Sequence, residues 1–414
     1  MRTAVEHILP LTEPVASLAH YQATGGGIGL AEALRVGPDE VIAEVRAAGL
    51  RGRGGAGFPT ATKWAATRNS NGPTSVVCNA AEAELGTFKD RFILRRNAYQ
   101  VLEGLAIAAV AVGASRAFIG IRQSCYVEIA ALVRALDELA AARLLGPASI
   151  RLVLGPDEYQ FGEEKTMLAA TEADEGETAV VNNVETLAHV STVLRLGANA
   201  FRAAGSVDSP GTTVFTLSGD VRRPGLYELP LGVSLRMLIE LFGAGTPSGR
   251  PVKAVFPGAG AAPLTGAMLD VPLDYDSVHA AGSALGSAGL VVYDDSTCMV
   301  AAALASCGFL AAGGQCPACQ GLDRRIAGSL ARIERGDGTQ GDLMVLHLGG
   351  GQRCCPPTGA AKLVRGVLAG FADEFAAHIG RSCPAPRDLP IPKLVDFDEP
   401  ACRFTYPATP APVR

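Results

Sequence analysis

Gly49-Leu50-Arg51-Gly52-Arg53-Gly54-Gly55-Ala56-Gly57-Phe58-Pro59-Thr60 carries five glycines and two arginines in twelve residues. Glycine tolerates positive φ and lets backbone N–H groups come close to a bound oxyanion. Arg51, Arg53 and, just downstream, Lys63 add positive charge. The stretch therefore predicts a phosphate-binding loop. The Gly-Lys-Ser/Thr ending of a Walker loop is missing, and the spacing does not match the dinucleotide fingerprint. Taken alone, the segment also reads as a glycine-rich turn with solvated arginines.

The flanking sequence alternates between helix and strand signals. Pro38-Asp39-Glu40 opens a short amphipathic helix to about Ala48, since proline suits a first turn and acids favour it. Val76-Val77-Cys78 reads as a buried strand, 98–113 as a long apolar helix and Ala117 to Ile121 as a strand. A helix over 126–145 ends at Gly146, and Ser149 to Val153 is a further strand. This alternation predicts an α/β layer with ligands at the strand ends. Residues 1–30 have little periodicity and read as an N-terminal arm, so the α/β domain spans 31–205.

Composition changes after about residue 205. Thr212 to Ser218, Gly225 to Leu229 and Val252 to Phe256 are strand candidates, with Ser234 to Leu241 a helix. They predict a small β-rich module over 206–290. Helical patterns follow at 297–311, 321–335 and 360–379, giving a helical domain over 291–383. The last 31 residues, 384–414, hold eight prolines and predict an extended tail. Nothing in the sequence chooses between wrapping its own subunit and binding a partner.

Composition also excludes. The net charge is −5 with no basic block, which argues against a nucleic-acid partner. The longest apolar stretch, Leu105 to Ala114, is too short to span a bilayer. No basic-then-apolar export signal opens the chain, so a cytoplasmic location is expected, peripheral to a membrane complex at most. Five of the ten cysteines (Cys307, Cys316, Cys319, Cys354, Cys355) fall within 49 residues. In a reducing compartment such clustering favours a metal site over disulfides.

Gly49 to Trp64 resembles, nearly residue for residue, the signature of the NADH-binding flavoprotein family of respiratory complex I and its soluble relatives. The likeness recurs at Cys78-Asn79, at Gly86-Thr87-Phe88-Lys89-Asp90-Arg91, at Tyr159 to Glu164 and at Val181-Asn182-Asn183-Val184-Glu185-Thr186. It continues in order through Ser218 to Pro224, Leu273 to Ser277 and Ala281 to Met299. The resemblance implies an α/β flavin-binding domain, a small β-grasp (soluble-ligand-binding) module and a C-terminal helical bundle. It implies FMN held by Gly52, Arg53, Gly54, Lys63, Asn79, Glu82, Tyr159, Gly162, Glu163, Glu164, Val181, Asn182, Asn183 and Thr186. NADH is then the substrate, with Phe58 and Glu84 on its side of the flavin and no protein acid or base needed for hydride transfer. Electrons would pass to iron–sulfur centres, then to an acceptor such as quinone through partner subunits. The implied partners are a thioredoxin-like 2Fe-2S subunit and a larger oxidoreductase complex.

The chain also departs from that family. One aromatic position is Ala66, an aspartate position is Ala81 and a proline position is Leu85. A segment of about twenty residues bearing a further aromatic is missing, for only 17 residues separate Glu164 from Asn182. Each lost stacking partner is worth ~1–3 kcal/mol by analogy with base stacking, so two weaken binding by ~10²-fold or more. A flavin-binding subunit that does not use NADH, with a structural or relay role, and an oxidoreductase with a different donor are the competing readings. For the family's 4Fe-4S cluster, Cys316, Cys319 and Cys354 fit, while the first ligand position is Gly313. Cys307 is the fourth ligand offered, with Cys355 as a substitute for Cys354. Zinc or no metal are the alternatives at this site, and Cys298 reads as a buried small hydrophobe.

Overall fold

The computed structural model describes residues 7–10, 13–171, 177–258, 260–310, 317–347 and 359–407. They fall into two compact units. The first takes the described residues up to Ala83, with Lys89–Val214 and Glu228–Val233. The second takes Glu84–Phe88, Phe215–Tyr227 and the described residues from Ser234 onward.

In the first unit, four parallel strands form one sheet: β1 (Thr74–Asn79), β2 (Arg116–Arg122), β3 (Ser149–Gly155) and β4 (Thr178–Asn183). Their spatial order is β3-β2-β1-β4, so the chain winds outward from β1 in one direction and then returns to its other side. β1 is flanked by β2 and β4, with Asn79 beside both Gly120 and Asn183. Valines and isoleucines fill the two inner strands, as expected where helices cover both faces. β4 and the helix Val184–Leu196 after it were not expected from periodicity.

The longest helix, Lys89–Val112, contains a break at Asn97 (φ −157°, ψ 73°). Asn97 Oδ1 accepts from Gln100 N at 3.2 Å and so caps the second half, which is the half expected from 98 onward. That half packs on the helix Val184–Leu196 without room for a side chain. A Cβ on Gly104 would lie 1.9 Å from the Leu187 carbonyl oxygen.

The N-terminal residues are not a featureless arm. Helices Leu18–Ala23 and Ile28–Val36 lie there, the first capped by Ser17. Two carboxylates gather the segment. Glu103, buried in the long helix, accepts from Gly27 N (3.0 Å), Leu30 N (2.8 Å) and the Tyr21 hydroxyl. Glu228 accepts from His7, Ile8 and Leu9 N and from the Thr212 hydroxyl. These contacts are long-range pairings of polar groups, which helical periodicity does not register.

A buried ion network joins the first turn of the long helix to the end of β4. Lys89, wholly buried, places Nζ 2.7 Å from Asp90 Oδ1, 2.9 Å from Glu185 Oε2 and 3.0 Å from Asn183 Oδ1. Asn183 closes the ring by donating Nδ2 to Asp90 Oδ2 at 2.6 Å. Burial works against the Lys89 charge, but Asp90, Glu185 and Glu82 outweigh it and raise its pKa. At Glu185 burial is likewise outweighed, chiefly by Lys89, and the carboxyl is pushed down to about 2. At Asp90 burial, helped by Glu82 and Glu185, prevails over Lys89 and pushes the carboxyl up to about 7. His189 lies 3.7 Å from Glu185, and burial lowers its pKa to about 4, with Glu185 opposing and Arg53 assisting.

The second unit is built on a mixed five-stranded sheet of order β6-β5-β9-β7-β8. Its strands are β5 (Thr212–Gly219), β6 (Gly225–Pro230), β7 (Val252–Pro257), β8 (Leu264–Thr265) and β9 (Gly289–Asp294). β5 runs parallel to β9, while β7 is antiparallel to both β9 and β8. The expected helix at Ser234 is there, but its second half, Leu238–Phe242, is a π-helix. Helices Met299–Leu310, Pro317–Arg335, Gln340–His347, Gly359–Gly370 and Ala372–Ala377 follow, sharing a core with Phe256 and Tyr293. Gln340–His347 was not expected.

The described part of the tail lies against its own chain. Pro392 O accepts from Gly86 N at 2.7 Å, Phe404 meets Phe88, and Arg387 pairs with Asp220. It also forms a short hairpin of β10 (Asp396–Asp398) and β11 (Arg403–Thr405). Among the described residues no helix is long and apolar enough to cross a membrane.

Three outcomes are expected. Gly104→Ala destabilises the first unit by at least the ~1–3 kcal/mol of overpacking, read as a lower urea midpoint; an unchanged midpoint contradicts the close helix contact. Lys89→Met leaves Asp90 and Glu185 buried without their cation and costs about 3–5 kcal/mol by the same measurement. For His189, protonation favours the unfolded chain, so its contribution is full above about pH 6.5 and is lost as pH falls through about 4. The stability difference between the wild type and His189→Gln must therefore shrink over that range, and a pH-independent difference refutes the assignment.

Candidate functional site

The order β3-β2-β1-β4 places a topological switch point between β1 and β4. Chains leave these two strands toward opposite sides, which opens a crevice at their carboxyl ends. Asn79 ends β1 and Asn182-Asn183 end β4, so the residues expected from the motifs meet there. Parallel pairing brings them together across more than a hundred residues of sequence.

The glycine loop rests on the same strand end. Its neck is closed by Gly52 N donating to Phe58 O at 2.8 Å and by Thr60 N donating to Leu50 O at 3.0 Å. Arg53 N donates to Thr186 Oγ1 at 2.8 Å, on the first turn of the helix that Asn183 caps. A Cβ on Gly54 would lie 2.9 Å from Asn183 Cβ, so this position needs glycine. Gly57 has φ +63°, in the left-handed region. Gly54 is exposed and Phe58 is 54% exposed, so the loop offers bare backbone and one open aromatic face.

The arginines do not serve as expected. Arg53 is buried, and its guanidinium donates to Arg51 O (2.8 Å), Pro210 O (2.9 Å) and Thr212 O (3.1 Å). Its fork thus holds the loop from beneath and does not present charge to a phosphate. Arg51 Nε donates to Gly57 O at 2.8 Å, across the loop. Lys63, the other basic residue expected here, lies in the first turn of the helix Thr60–Arg68. Lys63 Nζ is held by Val181 O at 3.0 Å and by the exposed Glu164 carboxylate at 3.2 Å.

The remaining expected residues interlock. Asn79 Nδ2 donates to Gly162 O at 2.8 Å, and Asn79 Oδ1 accepts from Ala81 N at 3.1 Å. Gly162 has no room for a side chain, since a Cβ would lie 2.7 Å from Ala81 O. Glu82 Oε1 accepts from Asp90 N at 3.3 Å. Glu163 begins the helix Glu164–Ala170, and Asn182 Oδ1 accepts from Trp64 Nε1 at 2.9 Å. The side chain of Tyr159 lies outside the described residues.

Glu84 belongs to the second unit, where its Oε2 accepts from Ser287 N at 3.2 Å and pairs with the Ser287 hydroxyl. Of the expected cluster ligands, Cys316, Cys354 and Cys355 lie outside the described residues. Cys319 is half-buried at the start of the helix Pro317–Arg335. Cys307 is fully buried in the apolar core, 4.0 Å from Ala360 O, and burial together with Asp323 pushes its thiol up.

Sequence reasoning missed Lys89, Asp90, Glu185 and Trp64 as residues that build the site. The signal was present, because three are charged residues inside the quoted motifs and Trp64 is the chain's single tryptophan. The departures sit differently. Ala66 is exposed, whereas Ala81 is buried among Val77, Phe118, Phe161, Met167 and Val181, where a carboxylate would be desolvated.

Known proteins share much of this sequence and fold. Residues 45–192 match the family described as the Nuo51 FMN-binding domain, and 214–255 match the SLBB domain. The chain is 41% identical to the NADH-quinone oxidoreductase F-subunit numbered 2 of Rhizobium meliloti, over 89% of this chain and 96% of that one. It is 35% identical to the HndC component of the NADP-reducing hydrogenase of Solidesulfovibrio fructosivorans, over 89% and 82%. Among solved structures, an NAD+-reducing NiFe-hydrogenase in the H2-reduced state aligns with a TM-score of 0.76 at 30% identity. That alignment covers 89% of this chain and 66% of the hydrogenase chain, so the chain spans just under two thirds of that neighbour's length. The chain belongs to the family of NADH-quinone oxidoreductase F-subunits, with its Nuo51 FMN-binding domain at residues 45–192.

Proposed function

We propose that this chain is the NADH-oxidising FMN flavoprotein of an electron-transfer complex. The observation that carries the reading is the switch-point crevice faced by a glycine loop whose Gly54 cannot bear a side chain. Family membership supports it, since relatives of 41% and 35% identity are named as NADH-quinone oxidoreductase and hydrogenase subunits. FMN held there would supply hydride-accepting and single-electron-donating chemistry between NADH and an onward acceptor.

The chain's own residues do the positioning. Loop amides around Gly52–Gly57 and the Lys63 ammonium would hold the phosphate. Asn79, Asn182 and Asn183 line the crevice with amide groups already oriented by Gly162 O, Trp64 and Asp90. Phe58 would supply the aromatic face for NADH. Residues 31–205 would serve flavin and NADH, 206–290 form a β-grasp module and 291–383 a helical bundle. That bundle would carry a 4Fe-4S cluster on Cys316, Cys319 and Cys354. Electrons would then reach a thioredoxin-like 2Fe-2S subunit at the periphery of a larger complex.

Two measurements test it. Chain purified without oxygen should carry flavin whose visible bands bleach on adding NADH. A flavin that stays oxidised with NADH yet reduces with dithionite overturns NADH as donor, and favours a relay subunit with Ala66 in place of an aromatic. Gly54→Val, whose side chain would enter the space held by Asn183, should lose most of its flavin while the fold is retained by circular dichroism; full flavin occupancy refutes the cradle.

A further inference from the structure

Three side chains of metal-ligating type, one of them some eighty residues before the other two, converge within the second unit. The turn after β9 ends at Cys298, and Met299 N donates to Glu374 Oε2 at 3.0 Å. That bond fastens the helix beginning at Met299 to the short helix Ala372–Ala377, which ends beside His378. Cys298 Sγ then lies 3.4 Å from His378 Nε2. Cys383, five residues further, completes a trio whose ligand atoms all lie within 4.8 Å of one another. Cys298 and His378 are 5% and 2% exposed, so neither is a surface coincidence.

A second observation comes from the other imidazole nitrogen. His378 Nδ1 lies 2.6 Å from Glu374 O, and a carbonyl oxygen only accepts. In the neutral ring Nδ1 therefore carries the hydrogen, and Nε2 turns a lone pair toward Cys298. A backbone carbonyl holding one ring nitrogen while the other faces thiols is the arrangement of a metal-ligating histidine. We propose that Cys298, His378 and Cys383 bind one zinc ion, with a fourth position left open on the half-buried Cys383 side.

The distances and charges suit that ion. Zinc–sulfur bonds of about 2.3 Å and zinc–nitrogen bonds of about 2.0–2.1 Å in a tetrahedron place S and N about 3.6 Å apart. The observed separation is 3.4 Å. Both thiols release a proton to solvent on binding, and two thiolates with neutral imidazole then cancel the dication. No electron moves. Glu374, the carboxylate that fastens Met299, is itself paired, with Lys253 Nζ lying 2.6 Å from its Oε1. These ligands are other residues than the cysteines at 316, 319 and 354; Cys298 is buried in the apolar core as expected, and the proposal adds a ligand role to it.

The test is metal analysis of the full chain, loaded with zinc under reducing conditions and then desalted. Wild type and Cys402→Ser, altered at an exposed cysteine, should retain this zinc equally, whereas Cys298→Ala and His378→Gln should each lose one equivalent. Cobalt in place of zinc should give tetrahedral d–d bands with thiolate charge transfer, absent in Cys383→Ser, which alters only a half-buried position. Circular dichroism confirms that each variant is folded. Zinc lost in Cys402→Ser but kept in Cys298→Ala overturns the proposal. So does a Cys298–Cys383 disulfide found by mass mapping of reductively prepared chain, or loaded wild type that holds no zinc while both thiols are alkylated.

Discussion

Lys89 carries a positive charge where water does not reach, and the flavin-side architecture is arranged around keeping it satisfied. Its ammonium binds Asp90 on its own helix, Glu185 on another and Asn183 at the end of β4. Removing an isolated ion from water costs several kcal/mol, so a lone buried lysine would lose its proton or unfold its surroundings. With two carboxylates and an amide around it, the same charge becomes a joint between three elements. Asn183 serves twice, capping the helix Val184–Leu196 and donating to Asp90. The crevice therefore has a wall that cannot shift without breaking an ion network.

The glycine loop depends on that wall. Gly54 lies against Asn183, and Arg53 binds Thr186 through its backbone, so the loop is placed by the residues Lys89 holds. Arg53 then commits its guanidinium to three carbonyls beneath the loop. Rigidity comes here from a charge that the loop's sequence suggested was meant for a ligand. The lost aromatic at Ala66 lies at an exposed place, so it removes a stacking partner without disturbing this support. Ala81 is the opposite case, since its apolar neighbours leave no water for a carboxylate.

Legibility varied with the range of the interaction. The helix Pro38–Ala48 and strands β1 to β3 were readable because local propensity and apolar runs agree with the fold. β4, the first half of the long helix and the helix Gln340–His347 were not, since charged or polar residues interrupt their patterns. The motifs identified the asparagines and glycines of the site, because resemblance preserves residue identity. Side-chain direction is another matter. Arg53 turned inward, and Cys298 found His378 and Cys383, through contacts that no spacing rule encodes.

By itself the sequence determined the α/β alternation, the family and the residue types at the crevice. These reside in short windows, where glycine content, apolar period and motif order survive without coordinates. Only the tertiary structure decided which polar groups face each other across long separations. It assigned Arg53 to carbonyls, Lys89 to two carboxylates, the described tail to its own chain and Cys298 to a distant histidine. The physical reason is that a buried polar group must find its partner in space, and strand order and helix packing choose that partner independently of distance along the chain.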